Sequence, residues 1–151
     1  MKVLAQDIKK LRELTSAGFA DCKSALEESK GDLKKAEELL KEKGLVKAAK
    51  KSNRATGSGL VDTYVHLNGQ IGVVLSLLCE TDFVARTDEF KNLAHEIAMQ
   101  IAAMDPRDSK ELVKQDYIRD PSKKIEDLIK ENIATLGENI VVGEFKRIEL
   151  S

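Results

Sequence analysis

Leu4, Ile8, Leu11 and Leu14 recur at steps of four, three and three residues, a spacing that predicts a helix with one apolar face. Thr15-Ser16-Ala17-Gly18 breaks the repeat. A second short helix is expected from about Asp21 to Ser29, with Cys22, Ala25 and Leu26 inward, and Lys30-Gly31 reads as its stop. Asp32 reads as the next N-cap, and the third helix lines up Leu33, Ala36, Leu39 and Leu40 before stopping at Gly44. Residues 1–45 therefore read as a very small three-helix domain of modest stability. Residues 46–58 carry Lys47, Lys50, Lys51 and Arg54, then Thr56-Gly57-Ser58, and read as a basic, flexible linker.

Residues 59–151 read as a second domain, beginning where the period shortens to two. Val61, Thr63, Val65 and Leu67 alternate with Asp62, Tyr64 and His66, which predicts a strand. Asn68-Gly69 signals a two-residue hairpin turn, and the return strand sets Ile71, Val73, Leu75, Leu77 and Cys79 on one face. A long helix follows from about Asp88 to Met104, burying Phe90, Leu93, Ala94, Ile97 and Ile101, and Asp105-Pro106 ends it. Residues 107–121 look irregular, with a short helix near Lys110–Gln115. Ser122 is a candidate cap for a further helix burying Ile125, Leu128, Ile129, Ile133 and Leu136 and ending at Gly137. A last strand from Asn139 to Leu150 is interrupted at Gly143, which suggests a bulge. The fold class is α+β: a three-helix domain, a linker, and a core of three-stranded antiparallel sheet with helices on one face.

Composition narrows the function. Of 151 residues 42% are apolar and 34% charged, a folding composition, and with only 4% aromatic residues the core must be aliphatic. No apolar run approaches the roughly 18–20 residues of a membrane span. Met1-Lys2-Val3-Leu4 runs straight into the amphipathic pattern, unlike a signal or transit peptide. Two cysteines are too few for a disulfide scaffold and favour a reducing, cytoplasmic setting. Residues 1–58 hold 14 basic and 9 acidic side chains and the remainder 11 and 17, a change of sign that suggests two modules. The net charge of −1 argues against nucleic-acid binding by the whole chain.

No enzyme constellation stands out. His66 and His95 are not spaced with cysteine or carboxylate as a ligand set, and no nucleophile elbow, Walker loop or dinucleotide fingerprint is present. Cys22 and Cys79 sit at core positions and read as inert thiols. No cofactor or metal is implied. The basic linker lacks interleaved aromatics and is a weak nucleic-acid signal.

Binding is better supported. Cys79-Glu80-Thr81-Asp82-Phe83-Val84-Ala85-Arg86 follows an apolar strand directly. Either Thr81 or Asp82 caps a helical turn with Phe83 packed on the core, or Phe83 protrudes as an anchor beside a carboxylate. Ala17-Gly18-Phe19 poses the same choice for Phe19. Three short helices with Gly-Phe in the first loop resemble the ubiquitin-associated fold, a binding module.

Two stretches together resemble the elongation factor Ts family: residues 11–26, Leu-Arg-Glu-Leu-Thr-Ser-Ala-Gly-Phe-Ala-Asp-Cys-Lys-Ser-Ala-Leu, and residues 79–86. Lys47 to Lys51, Phe90 to Pro106 and Leu136-Gly137-Glu138-Asn139-Ile140 support the match in the same order. The resemblance implies a nucleotide exchange factor for elongation factor Tu that makes and breaks no bond. Thr81, Asp82, Phe83 and Val84 are then the intruding turn near the partner's magnesium site. Phe19, Ala20 and Lys23 are the N-terminal domain's contacts with the same GTPase domain, and the core sheet braces on the partner's distal β-domain.

Three departures accompany the resemblance. Phe19-Ala20 stands where many members have two methionines, and Gly143-Glu144 where members commonly have two arginines. The segment between Asp105-Pro106 and Ile118 is shorter than the family's, and one core half is present where longer members have two. One-half members can pair, so a homodimer through the core is expected. The alternatives are a ubiquitin-associated-type adaptor, an RNA-associated protein using the basic linker, or a family relic that binds without exchanging nucleotide.

Overall fold

A computed structural model describes residues 2–66 and 68–150. Three helices come first: α1 (Ala5–Thr15), α2 (Phe19–Glu28) and α3 (Leu33–Lys50). Ile8, Leu11, Cys22, Ala25, Leu26, Ala36 and Leu40 form one small core. Leu4 and Leu14, expected on the buried stripe, are exposed. Leu4 is the extended N-cap residue rather than part of the helix, and Leu14 falls in the last turn, beyond the packed stripe. Asp32 caps α3 as expected, accepting from the backbone N–H groups of Lys34 and Lys35.

The expected stop at Gly44 does not occur, and α3 continues through the start of the basic segment to Lys50. Glycine costs about 1 kcal/mol in a helix interior. Here its missing side chain serves packing: a Cβ at Gly44 would stand 3.2 Å from the Cβ of Ala134. That close approach lets Ala48 enter the second, larger core.

The second core is built on β1 (Ser58–Val65), β2 (Ile71–Cys79) and β5 (Ile140–Glu149), an antiparallel sheet in the order β1-β2-β5. On β2 the inward set Val73, Leu75, Leu77 and Cys79 is as expected. Cross-strand partners share a face, so the pairs Leu60–Leu77, Asp62–Leu75 and Tyr64–Val73 turn the even positions of β1 toward the helices. Val61 and Val65 therefore lie on the open face, the reverse of what their hydrophobicity suggests. Leu67, read as part of that alternation, lies outside the described residues. The hairpin closes more widely than a two-residue Asn-Gly turn, since His66 N–H bonds the Ile71 carbonyl at 2.9 Å.

The bulge expected at Gly143 is present. Leu75 pairs with Phe145 but Leu77 with Val142, so one extra residue enters β5 opposite Ser76. The extra residue restores the parity, and Val142, Phe145 and Arg147 all share the helix-facing side. Arg147 Nε donates to the Ala102 carbonyl at 3.0 Å.

Between β2 and β5 lie α4 (Asp82–Ala85), α5 (Asp88–Met104), α6 (Ser109–Lys114), a small hairpin β3 (Asp116–Tyr117) and β4 (Asp120–Lys124), and α7 (Ile125–Leu136). The hairpin was not foreseen. Ser122, expected as a cap, is a strand residue; α7 starts after Lys124, whose backbone N–H donates to the Asp127 carboxylate at 3.0 Å. Buried Gln100 anchors the hairpin: its Nε2 donates to the Asp116 carbonyl at 3.0 Å and its Oε1 accepts from Ile118 N–H at 3.0 Å. Tyr117 hydroxyl donates to Glu96 at 2.6 Å. Burial first, then that hydrogen bond, push the Tyr117 phenol up to about 12.

Two measurements follow from this anchoring. Gln100→Leu removes the donor and acceptor that serve the hairpin backbone and is expected to cost roughly 1–3 kcal/mol in urea denaturation. The neutral Tyr117 phenol is favoured in the fold, so its contribution is complete below about pH 10 and is lost as pH rises through about 12. Stability measured by urea denaturation across that window is expected to fall less steeply for Tyr117→Phe than for the parent.

Candidate functional site

Strand β2 ends at Cys79, whose ladder partner is Ile140, and the chain leaves the sheet there into the Thr81 turn. Both readings of that turn hold in part. Thr81 does cap α4, its Oγ1 accepting from Val84 N–H at 3.4 Å. Phe83 nevertheless points outward and is 81% exposed, the most exposed large apolar side chain among the described residues. Asp82 is exposed beside it and pairs with Arg86 one turn on. Val84 is different: it is buried and belongs to the core, so its side chain anchors the turn from beneath.

The turn is held from several directions. Glu138, in the connection between α7 and β5, accepts from Glu80 N–H at 3.1 Å and Thr81 N–H at 2.9 Å through Oε1. Its Oε2 accepts from the Thr81 hydroxyl at 2.6 Å. Cys79 Sγ donates to the Thr81 carbonyl at 3.0 Å. The neighbouring Glu80 carboxylate accepts from Asn139 N–H at 2.7 Å and lies 3.6 Å from Arg54. Asn139 Nδ2 in turn donates to the carbonyls of Ser52 and Arg54. The segment just after α3, read as a flexible linker, is thus tied to the base of the turn.

The sequence reads Gly137 as a helix stop and Asn139 as the start of a strand, and assigns neither Glu138 nor Asn139 a contact with the turn. Gly137 was the available signal: it adopts a left-handed φ of 79° at the helix end and turns the next two residues back toward β2.

Phe19, Ala20 and Lys23 all lie at the start of α2 and are exposed, Phe19 by 56%. Spacings of three and four residues put them along one helix edge. Phe19 flanks a shallow groove of about 540 Å³ lined by Ala5, Ile8, Lys9, Arg12 and Ser16 of the first helix and its end. Lys23 pairs with Glu27 at 3.9 Å, a surface contact that leaves it free to exchange partners.

The remaining candidates are quiet. Cys22 and Cys79 are buried, and burial pushes both thiols up. His66 and His95 are exposed, the latter edge-on to Tyr64 at 5.8 Å. Glu144 is exposed at the bulge, its N–H donating to Ser76 Oγ at 2.9 Å. Among the described residues no group of three or more His, Cys, Asp or Glu could hold a metal ion, and no helix is long and apolar enough to cross a membrane.

The family model described as elongation factor TS matches residues 80–151, beginning at the Thr81 turn. Curated relatives extend the likeness to the three-helix segment. Elongation factor Ts of Coprothermobacter proteolyticus is 45% identical over 192 aligned positions, covering 97% of this chain and 98% of the relative. Those of Thermotoga neapolitana and Thermotoga maritima are 46% and 44% identical over 193 positions, each covering 99% of this chain. The alignments are longer than the 151 residues here, so these relatives carry stretches with no counterpart in this chain. With both exposed phenylalanines inside the shared region and identity of this level over nearly all of its residues, the chain belongs to the elongation factor Ts family.

Proposed function

We propose that this chain is a translation elongation factor of the cytoplasm that binds elongation factor Tu carrying GDP and speeds release of the nucleotide. The observation that carries this reading is Phe83, an apolar ring held in water on a braced turn within the family-matched region. A ring left 81% exposed gains nothing for the chain's own fold. Burying it in a partner contributes about 1.5–3 kcal/mol.

Asp82 and Phe83 intrude beside the magnesium and phosphate site of the partner's GTPase domain. Magnesium bridges phosphate oxygens to protein, so displacing the elements around it weakens nucleotide retention. Exchange factor and nucleotide then lower each other's affinity by the same factor. Each ~1.4 kcal/mol removed from the release barrier quickens release about tenfold. Phe19, Ala20 and Lys23 grip the same domain from the three-helix module, and the core sheet braces on the distal β-domain. The chain acts by binding and performs no covalent chemistry.

The open sheet face supports the homodimer. Val61, Val65, Val74, Val141 and Ile148 are exposed there, and one core half supplies one such surface. Pairing two copies covers both faces and presents two cores to the partner.

Two experiments test these assignments. Stopped-flow release of fluorescent GDP from elongation factor Tu is expected to accelerate by orders of magnitude with this chain. Phe83→Ala is expected to remove most of the acceleration while changing stability by no more than about 0.5 kcal/mol, because the ring lies outside the core. Complex formation without acceleration would indicate a binding-only protein. In sedimentation equilibrium at micromolar concentration the chain is expected at twice its 16.7 kDa mass, and Val65→Lys with Ile148→Lys at the single mass. A parent chain found only as monomer would remove the dimer.

A further inference from the structure

We propose that Glu138 is a positioning residue: its carboxylate holds the Thr81 turn in the one conformation that presents Asp82 and Phe83 to a partner. The inference rests on the exchange-factor reading for its consequence but on the chain's own geometry for the clasp.

Other contacts hold the floor of the turn, Val84 from the core and Cys79 Sγ at the Thr81 carbonyl, but they leave the amides at its entrance to Glu138. Helix α4 is four residues long, far below the length at which a helix sustains itself. Phe83, being largely in water, takes almost no direction from packing. Its aim is inherited from the backbone of residues 80–82. That backbone has just left the sheet, because the last ladder pair is Cys79 with Ile140. The N–H groups of Glu80 and Thr81 have no strand to pair with beyond that point, and Glu138 Oε1 receives both.

The second carboxylate oxygen sets the cap. The Thr81 hydroxyl hydrogen is committed to Glu138 Oε2 at 2.6 Å. The hydroxyl oxygen is thereby left to face Val84 N–H, which it accepts to start α4. One side chain thus fixes two backbone amides and the rotamer of the capping threonine. Hydrogen bonds to an ionised group are the stronger kind, and ordering a contact surface before binding reduces the entropy lost on binding.

Glu138 itself stands between Gly137, in a left-handed conformation, and buried Asn139. Asn139 N–H donates to Glu80, so the two segments exchange bonds in both directions, residues 80–81 with Glu138 and residue 139 with Glu80. Glu138 is set 57 residues away in sequence from the turn it holds.

The test uses the whole chain as parent, Glu138→Ala, Glu138→Asp, Glu138→Gln and Phe83→Ala. Amide hydrogen exchange on the free chain reads the clasp directly. The Glu80 and Thr81 amides are expected to exchange at least about tenfold faster in Glu138→Ala, and to regain protection in Glu138→Gln, whose side-chain carbonyl still accepts both N–H groups. Glu138→Asp keeps the charge but withdraws it by one methylene; it is expected to lose the same protection and decides the matter if Glu138→Ala folds poorly. Unchanged exchange of both amides in Glu138→Ala and Glu138→Asp would overturn the clasp.

GDP release from elongation factor Tu, titrated to saturation, reads the presentation. Glu138→Ala is expected to lower the maximal stimulated rate at least about tenfold, with Glu138→Gln within about threefold of the parent. Combined with Phe83→Ala it is expected to add well under its own tenfold loss, since the part that acts through the ring is already gone and only the part through Asp82 remains. A maximal rate equal to the parent's, or losses that multiply in the double variant, would overturn the positioning role. A parent chain that does not accelerate release would instead overturn the exchange reading, and the clasp would then be decided by amide exchange alone.

Discussion

Strand β2 is hydrogen-bonded on both sides, and its register governs the rest of the larger core. Val73, Leu75, Leu77 and Cys79 must face the helices, since together they present the apolar surface on which Phe90, Leu93, Ile97 and Ile101 pack. A slip of one residue would send the whole set to water. Once that face is fixed, β1 has no choice. Its pairing turns Leu60 and Tyr64 inward and strands Val61 and Val65 on the far side. On the other flank β5 can satisfy both Val142 and Phe145 only by carrying an extra residue at Gly143-Glu144. The point at which β2 runs out of partners is also the point at which the Thr81 turn emerges.

Much of this was legible from spacing alone. The long amphipathic α5, the inward set of β2, α7 with its glycine stop, the bulge and the three strands of the antiparallel sheet all follow from periods of 3.6 and two with glycine as punctuation, while the strand order comes from the fold. The misreadings have a common cause: a local signal was outvoted by a distant contact. Gly44 looks like a helix terminus until Ala134 is found beside it. Val61 and Val65 look like core until the β2 register is known. Ser122 looks like a cap, but the β3–β4 hairpin pinned by Gln100 takes it as a strand residue. Polar anchors such as Gln100 leave no periodic trace, so the hairpin could not be read.

The candidate site divides in the same way. Residue types and a family-like motif marked Thr81, Asp82 and Phe83, and the outward direction of Phe83 came only with the fold. Val84, one position on, is core. The hydrogen bonds that brace the turn come from Glu138 and Asn139, near in space and remote in sequence. The exposed apolar side chains assigned to binding thus lie on α2, the tip of α4 and the open sheet face, and at α4 the polar bonds that fix the geometry come from beneath.

The unbroken α3 has a consequence for how such a chain can change over time. Because the helix passes through Gly44 and on to Lys50 without a joint, it works as a shaft joining the three-helix module to the segment tied to the base of the Thr81 turn. Inserting or deleting a single residue in that shaft would swivel the three-helix module by about 100° and slide it by roughly 1.5 Å. Surface substitutions along it would be forgiven, whereas its length in residues would not.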